Sequence, residues 1–273
     1  MLTQEELEFR RNKIGASDAA IILGISPWKT AHQLWQEKVN GVESHSNSAM
    51  QRGNEMEPTA RAEFERMTGL SVMPKMKINP LADWQIANFD GITFDESVIV
   101  EIKCASKMVH DMAIDGKLPD YYFSQVQHQL CVANLEMGFY FSFNGQTGAI
   151  VEVKRDQGYI DAMNEEEFKF WNLMTNKTPP PLSDKDYIIR EDQEWVDLSK
   201  EFLSLLSLDD RKEFVRNRLI ELSAERNCIG GGIRVVKREG RCIVDYKAIP
   251  ELKSVDLTKY TKKGNGYFQV SAV

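Results

Sequence analysis

The stretch "FDGITFDESVIVEIKCA", residues 89–105, predicts two strands joined by a short turn, with charged side chains in both strands. Asp90 stands near the start of the hairpin, and Glu101 and Lys103 interrupt an apolar run of the kind that normally forms a buried strand. Alternation along the second strand points Glu101 and Lys103 to one face and Ile102 to the other. Unpaired buried charge is costly, so a purely structural role of the hairpin does not explain these charged residues.

A pair of carboxylates on neighbouring strands predicts a cation. If Asp90 and Glu101 lie about 4 Å apart, they repel by about 4 kcal/mol at an effective dielectric near 20. A hard divalent ion such as Mg²⁺ turns this repulsion into attraction, because it prefers carboxylate, carbonyl and water oxygens. Lys103 beside the ion could orient a water or stabilise transition-state charge. The alternative interpretation is a surface hairpin whose Glu-Lys pair is a weak salt bridge.

Patterns on both sides of this hairpin predict an α/β core. Helical periodicity precedes it in "GASDAAIILGISPW", in "TAHQLWQEKVNG" and over residues 53–67, and the intervening "VESHSNSAMQ" is predicted to be a loop. "FSQVQHQLCVANLE" follows as a helix, and "MGFYFSFNGQTGAIVEVKR" follows as a second hairpin. We therefore expect helices before a curved mixed sheet with one crossover helix at its centre. Trp28 and Trp35 are expected in the core.

Residues 186–273 differ in pattern from residues 1–185 and are predicted to form an accessory element. Two helical stretches break near Asp209-Asp210, and alternating segments after "GGG" predict strands. Nine Lys or Arg face four Asp or Glu over residues 228–273, although the whole chain carries a net charge of -7. Any anion-binding surface must therefore be local.

Composition indicates a soluble protein. The 273 residues, 42% of them hydrophobic, suffice for one large domain with an appendage. The N-terminal segment has no apolar region, and the longest aliphatic run is far below the roughly 18 residues of a membrane span. The four cysteines have neither zinc-ligand spacing nor a C-x-x-C pair. We expect a cytoplasmic protein with no membrane partner and no disulfides.

Several ordered motifs resemble one nuclease family. "RRNKIGASDAAIILGISPW", "RGNEMEPTARAEFE", "NFDG", "EIKC" and "QVQHQL" occur in the order and at the spacing of the YqaJ-type viral recombinases, the relatives of lambda exonuclease. The resemblance covers roughly residues 9–182. It also places Asp90, Glu101 and Lys103 in the PD-(D/E)xK pattern, although Phe89 replaces the usual proline. It implies a restriction-endonuclease-like core with a central curved mixed sheet flanked by helices.

The same resemblance assigns the metal site. Asp90, Glu101 and the Ile102 carbonyl would bind two Mg²⁺ ions, with Mn²⁺ as the alternative, and Lys103 would assist the attacking water. The further residues of the site are Glu57 as an additional acid, with Glu55 as its alternative, and Gln127 as a supporting glutamine.

The resemblance also implies a site for a terminal 5′-phosphate. Arg10 and Ser17 match the residues that hold this group, and Asn88 is a weaker match. A guanidinium and a hydroxyl at a helix N-terminus are a ready anion site. Arg11 or Lys13 could take over the role of Arg10.

Together these features predict a metal-dependent 5′-to-3′ exonuclease. It would degrade one strand of linear double-stranded DNA and leave 3′ overhangs for phage-type recombination. The family implies a ring-shaped homotrimer and a single-strand annealing protein as partner. Two alternatives stay open: a site-specific or structure-specific endonuclease, and a DNA-binding recombination scaffold without catalysis.

Overall fold

The computed structural model describes residues 9–42, 48–104, 106–205, 209–240, 242–244, 261–263 and 265–272. The chain divides into two compact units, Met1–Pro181 and Leu182–Val273. Within the described ranges, no helix is both long and apolar enough to cross a membrane.

The first unit contains six strands and six helices among its described residues. In chain order these are β1 (Ile14–Gly15), α1 (Ala16–Ile22), α2 (Ala31–Asn40), α3 (Ser48–Thr68), β2 (Val72–Asn79), β3 (Ala82–Thr93), β4 (Ile99–Lys103), α4 (Lys107–Ile114), α5 (Asp120–Ala133), β5 (Met137–Phe143), β6 (Gly148–Lys154) and α6 (Gln157–Thr175).

The strands form one mixed sheet in the order β1-β3-β4-β5-β6, with β2 paired to β3. β1 runs parallel to β3, and β4 runs parallel to β5. The other neighbours, β2/β3, β3/β4 and β5/β6, are antiparallel. The predicted α/β core, a mixed sheet flanked by helices, is therefore confirmed.

Each face of the sheet has its own apolar core. On one face Ile99 packs with Val126 and Leu130 of α5. On the other face Val100 and Ile102 pack with Ala60 and Phe64 of α3, as well as with Phe141 and Phe143. The alternation of β4 therefore buries Ile102 toward α3 and leaves Glu101 and Lys103 on the side of α5.

A register shift in β3 falls at Asp90. Between the pairs Met73↔Ile92 and Lys75↔Phe89, β3 contains one residue more than β2. The extra residue lies at Asp90-Gly91, and such a bulge bends a strand and redirects its side chains. Gly91 is needed there, because a Cβ atom would lie 2.7 Å from methyl carbons of both Val72 and Val100.

Local signals explain the helix boundaries. α2 begins at a reciprocal cap, in which Thr30 accepts a hydrogen bond from the Gln33 N–H and Gln33 accepts one from the Thr30 N–H. It ends at Gly41, whose φ of 69° is left-handed.

Three predictions about this unit were wrong. α3 begins at Ser48, inside the predicted loop, of which residues 43–47 lie outside the described residues. The crossover from β4 to β5 contains two helices, α4 and α5, where one was predicted; α4 has only 8 residues, the lower end of the usual range for helices. Trp35 is buried as expected, but Trp28 is 67% exposed.

The second unit has its own small core. Its described elements are a 3-10 turn (Asp184–Asp186), β7 (Ile188–Ile189), α7 (Gln193–Ser204), α8 (Asp209–Leu222), β8 (Cys228–Gly230), β9 (Ile233–Arg238), β10 (Cys242–Val244), β11 (Thr261–Lys263) and β12 (Tyr267–Ala272). Four strands form a sheet in the order β12-β9-β8-β7. Trp195, Phe202, Val215 and Leu219 of the helices pack with sheet residues such as Val235.

Candidate active site

Asp90 and Glu101 face each other across β3 and β4. The antiparallel register pairs Gly91 with Val100, and one further step places Asp90 opposite Glu101. The Ile102 N–H donates a 2.8 Å hydrogen bond to Asp90 Oδ2. Glu101 is only 1% exposed, so its carboxylate is removed from water. The structure therefore brings the two predicted acids together.

The Glu101 carboxylate is held by one cation and two amides. Lys103 forms an ion pair with Glu101 Oε1, which also accepts a hydrogen bond from Gln125 Nε2. Gln129 Nε2 donates to Glu101 Oε2 and to the Asn88 carbonyl, the latter at 3.2 Å. These contacts fix the Glu101 carboxylate between β4 and α5. Gln129 Oε1 is buried and has no hydrogen-bond partner among the described residues.

The negative charges of Asp90 and Glu101 repel each other, and Lys103 alone does not balance both. Burial raises the pKa of Glu101, and the nearby Asp90 charge raises it further, to about 7. Burial by itself lowers the pKa of Lys103, but the Glu101 and Asp90 charges outweigh it and raise that pKa overall. The site therefore keeps Lys103 charged while it disfavours two simultaneous carboxylates.

Glu57 lies at the edge of this cluster. Burial raises the pKa of Glu57 and the Asp90 charge raises it further, whereas Arg61 opposes both effects. Arg61, one turn later on α3, forms an ion pair with Glu57 and donates through Nε to the Asp90 carbonyl at 2.7 Å. Glu55, the predicted alternative, is exposed. Glu57 is thus the acid of α3 that senses the Asp90 charge.

Gln127, the predicted supporting glutamine, makes its hydrogen bonds away from Glu101. Gln127 Nε2 donates to the Lys154 carbonyl at 2.7 Å, and its Oε1 accepts from the Asp156 N–H at 2.9 Å. Both polar ends are therefore used where β6 meets α6. Because residues two apart on a helix point to different sides, Gln127 cannot share the face of Gln125 and Gln129.

The predicted phosphate-binding residues lie where β1 meets α1 and along β3. The parallel register pairs Gly15 with Ile86. Ser17 comes two residues after Gly15, and Asn88 comes two residues after Ile86. Ser17 is exposed in the first turn of α1, and Asn88 is exposed on β3. Among the described residues, the side chains of Arg10, Ser17 and Asn88 have no hydrogen-bond partner.

Lys13, one of the two alternatives to Arg10, already has partners. Its ammonium lies 3.6 Å from an Asp83 carboxylate oxygen and 5.5 Å from the ring centroid of Phe9. The Arg11 guanidinium lies near Gly41, at the end of α2. Arg10 is therefore the better candidate to bind an anion.

The donor set fits a hard metal ion. Asp90 and Glu101 offer carboxylate oxygens, and their mutual repulsion is the condition that a divalent cation relieves. Over the described ranges, no group of three or more His, Cys, Asp or Glu side chains is gathered in metal-ligand fashion. Glu57 is instead paired with Arg61. The chemistry of the residues thus suits Mg²⁺ or Mn²⁺, which Asp90 and Glu101 would hold.

Sequence reasoning missed Gln125, Gln129 and Arg61. All three carried a helical signal: Gln125 and Gln129 are four residues apart on α5, and Arg61 follows Glu57 by four on α3. This spacing places Gln125 and Gln129 on one face of α5, but it does not show that this face, and not that of Gln127, meets β4.

Comparisons with known proteins show what the chain is similar to. Residues 7–136 match the family model of the YqaJ-like viral recombinase domain. A protein of Bacillus subtilis (strain 168), "Uncharacterized protein YqaJ", is 36% identical over 180 residues. That alignment covers 63% of this chain and 56% of the Bacillus protein, so the chain spans little more than half of this relative.

Two crystal structures of one alkaline exonuclease, LHK-Exo from Laribacter hongkongensis, are similar to the chain, one of them in complex with dAMP. Each is 25% identical, with a TM-score of 0.57, and covers 64% of this chain and 94% of the other. This similarity supports a nuclease role. Residues 7–136 are thus similar to the YqaJ-like viral recombinase domain family.

Proposed function

We propose that the protein is a metal-dependent deoxyribonuclease that degrades one strand of linear double-stranded DNA from its 5′ end. The observation that carries this proposal is the opposed pair Asp90 and Glu101 beside Lys103, with Glu101 buried. Two acids beside a single ammonium destabilise the folded protein, because one negative charge is left without a partner. This arrangement therefore favours a role in binding a cation over a role in stability. The similarity to an alkaline exonuclease supports the reaction class.

Each residue has a separate task in this proposal. Asp90, fixed by the Ile102 N–H, and Glu101, fixed by Gln125 and Gln129, would hold the metal, with the Ile102 carbonyl as a further donor. A bound Mg²⁺ would supply an activated water and neutralise developing phosphate charge. Lys103 would hold that water in line with the scissile phosphate. Glu57, which is now paired with Arg61, would leave that ion pair and contact the metal.

The direction of degradation depends on a second anion site. Arg10, Ser17 and Asn88 would bind a terminal 5′-phosphate, which holds the strand end while the next phosphodiester reaches the metal. The parallel pairing of β1 with β3 supports this, because it brings the start of α1 beside the strand that carries Asp90. Removal of single nucleotides from the 5′ end would leave the 3′ overhangs used in recombination.

One digestion assay tests the activity and its polarity. Linear duplexes labelled at the 5′ or the 3′ end, and closed circular duplexes, are incubated with and without Mg²⁺. We expect Mg²⁺-dependent release of the 5′ label first and no cutting of circles. Cutting of circles would favour the endonuclease, binding without any cleavage would favour the scaffold, and earlier release of the 3′ label would reverse the polarity.

Removal of Arg10 tests the phosphate site. Unmodified protein should degrade 5′-phosphate ends about 10- to 100-fold faster than 5′-hydroxyl ends, the range expected for a charge-assisted contact. Arg10→Ala should lose most of this preference. Arg66→Ala, which removes an exposed arginine of α3 paired with Glu63, is the matched control and should keep it. Equal rates on both kinds of end by the unmodified protein would rule the site out.

Two further properties belong to the proposal and rest on the family alone. A ring-shaped homotrimer would enclose the duplex, and light scattering would then give three times the mass of one chain. A single-strand annealing protein would bind the emerging 3′ strand. A monomer that degrades long duplexes processively would contradict the ring.

A further inference from the structure

Three aromatic rings lead from the candidate active site to the surface. Trp28 meets Tyr121 edge to face, with ring centroids 4.8 Å apart. Tyr121 in turn meets Tyr122 at 4.6 Å, again edge to face. We call Trp28, Tyr121 and Tyr122 the aromatic ladder. Aromatic rings at these distances interact favourably, so the three side chains support one another.

The inner end of the ladder is anchored in the core. The Tyr122 ring stacks on the ring of Tyr140 at 5.4 Å, and Tyr140 is fully buried. Burial raises the pKa of both Tyr121 and Tyr122, so both phenols stay neutral at ordinary pH. The ladder is thus an uncharged apolar path that starts from a rigid base.

The outer end is open to solvent but held in place. Trp28 is 67% exposed, which is unusual for a large ring that already touches two others. Its backbone N–H donates to Ser26 Oγ at 3.3 Å, and the next N–H, that of Lys29, donates to the same oxygen at 3.3 Å. Ser26 itself is only 4% exposed. The Trp28 ring therefore has a defined position although most of its surface faces water.

The ladder ends at the proposed catalytic group. The Lys103 ammonium lies 5.4 Å from the centroid of the Tyr122 ring, within the range of a cation-π contact. Tyr121 precedes Gln125 by four residues and Gln129 by eight, so all three lie on one stripe of α5. The helix that positions Glu101 thus also carries two of the three ladder rings, Tyr121 and Tyr122.

We propose that the ladder stacks an unpaired base of the DNA strand next to the phosphate being cut, with Trp28 as the outermost contact. This inference rests on the proposed nuclease function and specifies how the strand is bound. Every base has an apolar face, so a run of rings binds single-stranded nucleic acid without selecting sequence. An exposed, fixed tryptophan that leads to the proposed catalytic lysine fits such a base better than a protein partner.

Binding to a non-cleaving protein tests the proposal. The Asp90→Asn variant is titrated with a labelled short duplex that carries unpaired nucleotides at its 5′ end, and with the same duplex in which these nucleotides are abasic. Adding Trp28→Ala should weaken binding of the normal duplex roughly 5- to 100-fold, the range found for loss of base stacking. It should leave binding of the abasic duplex unchanged. Trp28→Phe should restore most of the lost affinity.

Phe94→Ala is the matched control, because it removes another exposed ring, 84% accessible, outside the ladder. It should bind both duplexes like the parent protein. Equal binding of the normal duplex by the Trp28→Ala and parent proteins would overturn the proposal. Equal losses on the normal and abasic duplexes would overturn it as well, because the contact would then not be to a base. Absence of any binding by the parent would have the same consequence.

The ladder and the nuclease function can fail independently. If the unmodified protein digests DNA with Mg²⁺ but Trp28→Ala has no base-dependent effect, only the proposed role of the ladder is rejected. A base-dependent loss of binding in a protein that never cuts DNA would remove only the nuclease function.

Discussion

Two buried glutamates, Glu101 and Glu167, contact different side chains of α5 and differ in how their charge is balanced. Glu101 receives amide hydrogen bonds from Gln125 and Gln129, and it pairs with Lys103. A second acid, Asp90, stands opposite it. Glu167 is 0% exposed and receives a 2.8 Å hydrogen bond from His128. The Glu101 charge is therefore repelled by a neighbouring acid, whereas the Glu167 charge faces a hydrogen-bond donor.

The hydrogen bonds of Glu167 form a complete network. His128 Nδ1 contacts Glu167 Oε1, and His128 Nε2 contacts the Ile86 carbonyl at 3.0 Å. Since both ring nitrogens face acceptors, the protonated imidazole fits best. Gln85 Nε2 donates to the other Glu167 oxygen at 2.7 Å, and Asn79 donates to Gln85 at 2.7 Å. Each of these buried groups has a partner that suits it.

The difference separates a structural site from a functional one. A buried charge with a full set of partners is costly to disrupt, because removing one partner leaves the other uncompensated. A buried charge beside a like charge costs folding energy, and proteins accept this cost mainly at functional sites. Burial alone would not distinguish the two glutamates.

The largest expected effect is on activity. Glu101→Gln keeps the shape but removes the charge that would bind the metal, so Mg²⁺-dependent digestion of linear duplex should be nearly abolished. Its free energy of unfolding should be unchanged or higher, because burial and Asp90 disfavour the charged form that the variant lacks. Urea denaturation and end-release assays measure the two quantities. Activity near that of the parent protein would refute the assigned site.

The matched substitution Glu167→Gln should act on stability. It leaves His128 buried against an amide, and breaking a buried pair on one side typically costs about 3–5 kcal/mol of unfolding free energy. Digestion per folded molecule should change far less than in Glu101→Gln. The comparison between the two sites fails if Glu167→Gln loses activity while its urea midpoint stays that of the parent.

Glutamines of α5 offer a smaller test. Gln129→Leu frees the Glu101 carboxylate on one side, and loss of a group that orients a ligand typically costs about 10- to 100-fold in activity or metal affinity. Gln127→Leu should lower the unfolding free energy instead, because the Lys154 carbonyl and the Asp156 N–H lose their partner. Gln129→Leu should therefore show the larger loss in digestion rate, and Gln127→Leu should show the larger loss in urea midpoint. An activity loss confined to Gln127→Leu would reverse the assignment.

The smallest effect is a pH dependence. Burial lowers the pKa of His128, but the Glu167 charge and the hydrogen bonds outweigh it and raise that pKa above 6.5. The stabilisation is therefore fully present below pH 6.5 and is lost as pH rises through the folded-state pKa. The slope is at most about 1.4 kcal/mol per pH unit. Urea denaturation at increasing pH should show the unfolding free energies of parent and Glu167→Gln converging; a constant gap would mean that His128 does not titrate there.

Much of the site followed from the sequence because it depends on local pattern. The alternation of "VIVEIK" fixes which face Glu101 and Lys103 share, and the hairpin length brings Asp90 opposite Glu101. Ordered motifs indicated the resemblance to the YqaJ-type viral recombinases, and residues 7–136 match that family model. The roles of Arg10, Ser17 and Asn88 remain predictions, as do the metal and the trimer.

What the sequence determined by itself was therefore the α/β core, the pairing of two acids with one lysine, and caps such as Thr30 and Gly41, since each depends on neighbours along the chain. Only the tertiary structure decided that Gln125 and Gln129, and not Gln127, hold Glu101. It also decided that Trp28 lies exposed on the tyrosines of α5, although its type and setting favoured the core. These outcomes depend on how α1 and the sheet meet α5, because burial and partners are properties of packing between distant segments.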